Sequence, residues 1–135
     1  MFTGIRGVFI RVADLEEATE RYLRLFGGTL TQRHAFEDLG FDTSVITYDN
    51  GTYIELISPL DEEGPVARAL RSRGEGLHQI SFDNEDPRAC VEHLRDNEVR
   101  LVNDPGRGEP VTQQIFVHPR EVNGVLVQVG NTPFD

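Results

Sequence analysis

One stretch of this chain occurs twice. Asp14 recurs as Asp86, 72 residues on; the pair Asn50-Gly51 recurs as Asn123-Gly124, 73 residues on; and Glu55 is matched by Gln128 at the same offset of 73. A helix cap, a turn and a polar strand residue repeating together in register mark a duplicated unit, and with one residue of drift Gly7 corresponds to Gln79. At 135 residues the chain has a typical single-domain length, and one compact core is the expectation.

Within each copy the apolar spacing alternates between strand and helix periods. Ile5, Val8, Ile10 and Val12 outline a strand over residues 5–12, whose other face carries Gly7, Phe9 and Arg11. Asp14, with Glu17 three residues on, reads as an N-cap; Leu15, Ala18, Tyr22, Leu25 and Phe26 then follow at helical spacing until Gly27-Gly28. Strands are predicted at 29–34, 42–48 and 52–58, the last two joined by the Asn50-Gly51 turn. After a connector over 59–75, with a short helix opened by Gly64-Pro65 and closed by Gly74, the order restarts. A strand over 77–82, a helix capped by Asp86-Pro87 and ending near Asn97, and strands at 98–102, 112–118 and up to Gly130 complete it. The prediction is one α+β domain over 1–135 made of two tandem βαβββ units, about 4–58 and about 76–130. Two such units fold half-open sheets toward one another, giving a curved mixed sheet around a cavity. Residues facing inward from the first and last strands would converge there: Gly7, Glu55, Gln79 and Gln128.

Composition narrows the chemistry. The formal net charge of −10 argues against a nucleic-acid partner, which requires a basic face. All 13 basic residues are arginine, so Schiff-base chemistry and lysine general bases are excluded while bidentate recognition of carboxylate or phosphate remains open. The single cysteine, Cys90, falls on an amphipathic helix and reads as a buried thiol; an intramolecular disulfide is impossible. No run of 18 apolar residues and no signal-peptide pattern occurs, and the expectation is a cytoplasmic protein with no membrane partner.

Five segments carry a resemblance: Val12-Ala13-Asp14-Leu15-Glu16-Glu17-Ala18, Tyr53-Ile54-Glu55-Leu56-Ile57-Ser58-Pro59-Leu60, Gly74-Glu75-Gly76-Leu77-His78-Gln79-Ile80, Phe116-Val117-His118-Pro119-Arg120, and Gly124-Val125-Leu126-Val127-Gln128-Val129. In order and spacing they resemble the vicinal oxygen chelate (glyoxalase/bleomycin resistance/dioxygenase) superfamily, and within it methylmalonyl-CoA epimerase. The resemblance implies a glyoxalase-like fold, a homodimer, and a divalent metal (Co, Mn, Ni or Zn) held at the four convergent positions by histidines and carboxylates. This sequence departs at three: Gly7, Gln79 and Gln128 stand where metal-type donors belong, and Glu55 alone fits. One carboxylate with two neutral amides is a poor cage, so no cofactor is expected, with a lone metal ligand at Glu55 as the alternative. The position of a further family base holds Thr43, which cannot take a proton at neutral pH.

The remaining candidates are Glu55 and His118 for catalysis, with Gln79, Gln128, Arg11, Phe9, Tyr53 and Phe116 contacting a small-molecule ligand. Glu55 is a general base, a metal ligand or a hydrogen-bond acceptor in one set of readings, and a salt-bridge partner of Arg11 in another. His118 faces the cavity as acid, base or ligand, or bonds to a loop at its strand end. Arg11 holds a substrate carboxylate or acyl-CoA phosphate, or is a solvated rim residue. His78, one residue off the register of Gln79, is read as structural; His34 and His93 are read as loop and exposed-helix residues. Three functions fit: an acyl-CoA epimerase-like enzyme moving a proton α to a carbonyl, a non-catalytic binding or sequestering protein of the bleomycin-resistance type, or a metal-dependent glyoxalase or epimerase with an unusual ligand set.

Overall fold

A computed structural model describes residues 1–134. The elements run β1 (Phe2–Arg11), α1 (Leu15–Phe26), β2 (Thr29–Phe36), β3 (Phe41–Thr47), β4 (Tyr53–Pro59), α2 (Pro65–Arg73), β5 (Gly76–Asn84), α3 (Pro87–Asp96), β6 (Leu101–Val102), β7 (Phe116–Val117) and β8 (Leu126–Val129). A 3₁₀ turn, Pro119–Glu121, precedes β8. Two compact bodies form among the described residues: Gly7–His78, and Met1–Arg6 together with residues 79–134.

In the first body the strand order is β2-β3-β4-β1. β1 and β4 pair in parallel from Gly7 opposite Tyr53 to Arg11 opposite Ile57, and the other pairs are antiparallel. Helix α1 starts where Asp14 accepts the Glu17 N–H at 3.0 Å, and stops at Gly27, whose φ of 68° continues the chain in the left-handed region. Its apolar side packs Leu15 and Ala18, together with Val12 from the segment before it, on Ile46 and Leu56, with Ile10, Tyr22, Leu23, Tyr48 and Ile54 at the margin. Each such fully buried aliphatic side chain contributes about 1.5–3 kcal/mol. Because strand residues alternate, burying Ile10, Ile54 and Leu56 under α1 sends Phe9, Arg11, Tyr53, Glu55 and Ile57 to the opposite face.

The second body repeats the plan with shorter strands, in the order β5-β8-β7-β6. Asp86 caps α3 by accepting the Ala89 N–H at 3.1 Å, with Pro87 in the first turn. The core joins Cys90 and Val91 of that helix to Val111, Ile115, Val117, Val127 and Val129. Cys90 is fully buried, and burial raises its thiol pKa.

The strand predicted over 112–118 is reduced to Phe116–Val117, and the one over 98–102 to Leu101–Val102. The backbone accounts for both. Glu98 has a φ of 58°, outside strand geometry. Val111 pairs instead with Phe134, and the Ile115 N–H is taken by Thr132 Oγ1 at 3.0 Å. The expected strong curvature around a cavity is corrected as well: the strands form a mixed sheet that is not strongly curled. Coiling accumulates along paired strands, and the two-residue β6 and β7 have too little length to accumulate it. His34 lies in β2 rather than in a loop, exposed, while His93 is exposed on α3 as predicted. Among the described residues no helix is long and apolar enough to cross a membrane.

Candidate functional site

On the open face of the first body, Glu55 lies opposite Phe9 on one side and Val45 on the other. Tyr53 and Ile57 flank it along its own strand, two residues away in each direction. Four apolar or aromatic side chains thus surround one carboxyl. Burial among them pushes its pKa up to about 7. A carboxyl that titrates near neutrality can both take and return a proton at working pH, which a solvated glutamate does poorly.

Beside Glu55 is a close fit between a glycine and an aromatic ring. Tyr53 crosses directly over Gly7: a Cβ at position 7 would stand 2.4–2.6 Å from three ring carbons, far inside van der Waals contact. Phe9 meets the same ring edge-on, centroids 6.1 Å apart and planes at 79°. The sequence reading placed Tyr53 on this face but did not pair it with Gly7. The clue was available, since a glycine opposite an aromatic across a strand pair is a recurrent packing device.

Arg11, on the same face, is 5% exposed and tied to the backbone. Its Nε donates to the Gly74 carbonyl and one terminal nitrogen to the Leu77 carbonyl, both at 2.8 Å; His78 Nδ1 lies 3.5 Å from that same nitrogen. Desolvation first, then the charges of Arg11 and Arg73, hold the His78 pKa down to about 4. Among the described residues no ion pair joins Arg11 to Glu55; Arg11 is directed at carbonyls. Thr43, also on this face, is fully buried and donates to the His34 carbonyl.

In the second body, Gln79 Nε2 donates to Gln128 Oε1 at 2.8 Å, and Phe116 stands directly opposite Gln128 across the β7–β8 pair. Ser81 faces Gln128 from β5. His118 caps the turn that follows β7: its Nδ1 accepts the Arg120 N–H at 3.1 Å, and its own N–H donates to the Arg100 carbonyl. A cavity of about 230 Å³ in this body is lined by Arg88, Glu92, Arg95 and Phe134, and one of about 640 Å³ in the first body by Pro59, Asp61, Glu62 and Leu70. None of the candidate residues lines either.

These donors do not fit a divalent cation. Position 7 has no side chain and the Tyr53 ring fills its space; the amides of Gln79 and Gln128 are turned on each other. Among the described residues no group of three or more His, Cys, Asp or Glu comes together.

The family model "Glyoxalase/Bleomycin resistance protein/Dioxygenase superfamily" matches residues 8–131. The chain is 33% identical to the ethylmalonyl-CoA/methylmalonyl-CoA epimerase of Cereibacter sphaeroides, covering 96% of this chain and 98% of that protein. The fold superposes on the methylmalonyl-CoA epimerase of Mycobacterium tuberculosis with a TM-score of 0.83 at 33% identity, covering 95% of this chain and 87% of that one. It also superposes on a variant of the Streptomyces coelicolor methylmalonyl-CoA epimerase in complex with 2-nitronate-propionyl-CoA, with a TM-score of 0.81 at 28% identity and 96% coverage of both chains.

Proposed function

The chain belongs to the Glyoxalase/Bleomycin resistance protein/Dioxygenase superfamily, and from that premise we propose that it is an acyl-CoA epimerase, moving the proton α to the carbonyl of a small carboxyacyl-CoA thioester such as methylmalonyl-CoA. The observation that carries this reading is Glu55, a carboxyl set between Phe9 and Val45 with its pKa near 7. In the step proposed, the Glu55 carboxylate takes the α-proton. The C–H electron pair becomes the carbon–carbon double bond of the enolate, and the carbonyl pair moves to oxygen. A water molecule then gives a proton to the opposite face of the α-carbon, which restores the carbonyl and inverts the centre, and the hydroxide left takes the proton from Glu55 to regenerate the carboxylate. No step passes through a metal.

The test is α-hydrogen exchange: methylmalonyl-CoA incubated with the protein in D₂O should gain deuterium, and Glu55→Gln should lower the rate at least about 100-fold, in the range typical of a removed general base. A Glu55→Gln variant that exchanges as fast as the parent would sink the assignment.

One observation favours a second reading, a binding protein that no longer catalyses. Several polar groups expected to meet substrate are engaged with the protein itself: Arg11 with two carbonyls, Gln79 with Gln128, His118 with a turn. Under that reading methylmalonyl-CoA or a related thioester binds and leaves without exchange. We further propose a cytoplasmic homodimer. Support for the dimer comes from β2, an edge strand exposed along nearly its whole length and so offering unpaired backbone groups; light scattering on the purified protein decides it.

A further inference from the structure

The outer edge of β2 and the chain at its two ends form a surface that complements itself. β2 ends the strand order of the first body, and seven of its eight residues are exposed, so its outer side has no strand to pair with. The devices that usually blunt such an edge are mostly missing. β2 has no proline and no lysine, and its one irregularity, between Leu30 and Gln32, leaves residues 32–36 regular.

Exposed apolar side chains gather at both ends of the strand. At its start are Leu25 (57% exposed) and Phe26 (60%), which close α1, and Leu30, which lies opposite Ile46 and so on the α1 side of the sheet. Beyond its end are Leu39 (59% exposed) and Leu60, held at the β2–β3 turn by the 2.8 Å bond from the Leu60 N–H to the Gly40 carbonyl. These are five of the nine large apolar side chains left exposed among the described residues, a grouping unlike the usual single scatter. Charge divides in the same way. Residues 21–36 contain no Asp or Glu in a chain with 23 of them, and Arg24, in the last turn of α1, has no ion pair among the described residues. Glu37 and Asp38 directly follow the strand, also without one. Between the ends lie Thr31, Gln32, Arg33 and His34, with Arg33 neutralised by Asp42 at 2.6 Å.

Eight residues of strand span about 25 Å, so the cationic and anionic ends cannot meet within one chain. A second copy laid antiparallel brings them together. Each apolar start then faces an apolar end, and Arg24 faces Glu37 and Asp38; twofold symmetry makes every such contact twice. A parallel neighbour would set Arg24 on Arg24 and carboxylate on carboxylate, which repel.

We propose that two copies of this chain join through β2 in antiparallel pairing, so that the sheet of the first body continues from one copy into the other. This rests on the homodimer reading and names the surface that makes it.

Sedimentation equilibrium on the full chain tests it by charge reversal. Arg24→Glu in one protein, and Glu37→Arg with Asp38→Arg in a second, make the facing ends alike in sign. Each should weaken the dimer at least about 100-fold, as like charges set together at an interface do. Mixing the two proteins matches the ends again at both contacts, and a mixed dimer of near-parent affinity should return. The three side chains are exposed and bond to nothing else in their own chain, so circular dichroism should not change. Phe26→Ser, which leaves the charges intact, should weaken the dimer about tenfold. A dimeric parent whose affinity survives both reversals and Phe26→Ser would overturn this interface and leave the homodimer reading standing. Reversed proteins that stay monomeric on mixing would do the same. A monomeric parent would leave the edge to a strand of a different protein, and both readings would fall.

Discussion

The side-chain amide of Gln79 donates to the side-chain carbonyl of Gln128 across 2.8 Å, so two groups that occupy equivalent places in the repeat's first and last strands satisfy each other. Gln79 is 6% exposed, and a buried amide without such a partner is costly. Gln79→Leu should therefore destabilise the protein by about 1–3 kcal/mol, most of it the penalty on Gln128. Adding Gln128→Leu should recover part of that loss. Urea denaturation of the four proteins of this cycle gives the coupling; additive losses would show that the bond contributes nothing.

Glu55 and His78 impose opposite pH dependences on stability. Glu55 is pushed up to about 7, so between roughly pH 4.5 and 7 the folded chain holds a proton that the unfolded chain releases. Its contribution is complete below that window and is lost as pH rises through it, a change of about 3 kcal/mol. His78 is held down to about 4, so between about pH 4 and 6.5 the unfolded chain takes up a proton that the folded one rejects, and stability is lost as pH falls. The two slopes oppose each other between pH 4.5 and 6.5. Glu55→Gln should make the urea midpoint rise more steeply with pH across that interval than in the parent, and His78→Gln should tilt it the other way. Parallel profiles for all three proteins would contradict both shifts.

Arg11 is expected to matter for the fold. Its two bonds to the Gly74 and Leu77 carbonyls anchor β1 to the segment that closes α2 and opens β5. Charge-assisted bonds of this kind contribute about 1.5–3 kcal/mol each, so Arg11→Met should cost about 3 kcal/mol in thermal or chemical denaturation. Arg11→Lys, lacking the planar fork, should recover less than half. With the guanidinium gone, the pKa of His78 should rise, which its ring NMR signals would follow. An unmoved His78 would mean that burial alone depresses it.

His118 is expected to act as the cap of the Pro119–Glu121 turn. Asn offers an acceptor of similar reach, so His118→Asn should keep stability, and His118→Ala should lose about 1 kcal/mol. Exchange of the α-hydrogen should survive both. A large rate loss in the stable His118→Asn variant would return the imidazole to the chemistry.

The local plan of the chain is legible in its sequence wherever one or two residues decide the conformation. Asp14 and Asp86 start α1 and α3, Gly27 and Gly74 stop α1 and α2, and Asn50-Gly51 turns β3 into β4. Legibility fails where a partner distant in sequence decides. Residues 112–115 have a strand's composition, yet Phe134 and Thr132 take the backbone groups that pairing would have used. Arg11 lies on the predicted face of β1, but its acceptors, two carbonyls more than sixty residues away, leave no mark in the pattern. The apolar setting of Glu55 along its own strand is legible, because alternation in β4 puts Tyr53 and Ile57 on its face.

The interlock of Gly7 with Tyr53 also bears on how such a site can change by mutation. Any single replacement at position 7 meets the ring before it meets a new ligand, and any single shortening of Tyr53 leaves a void over a glycine. Each one-step path out of the present arrangement thus passes through a less stable protein. A chain at this point would be held to its present site by the order in which mutations must come, and the two positions should vary together or not at all.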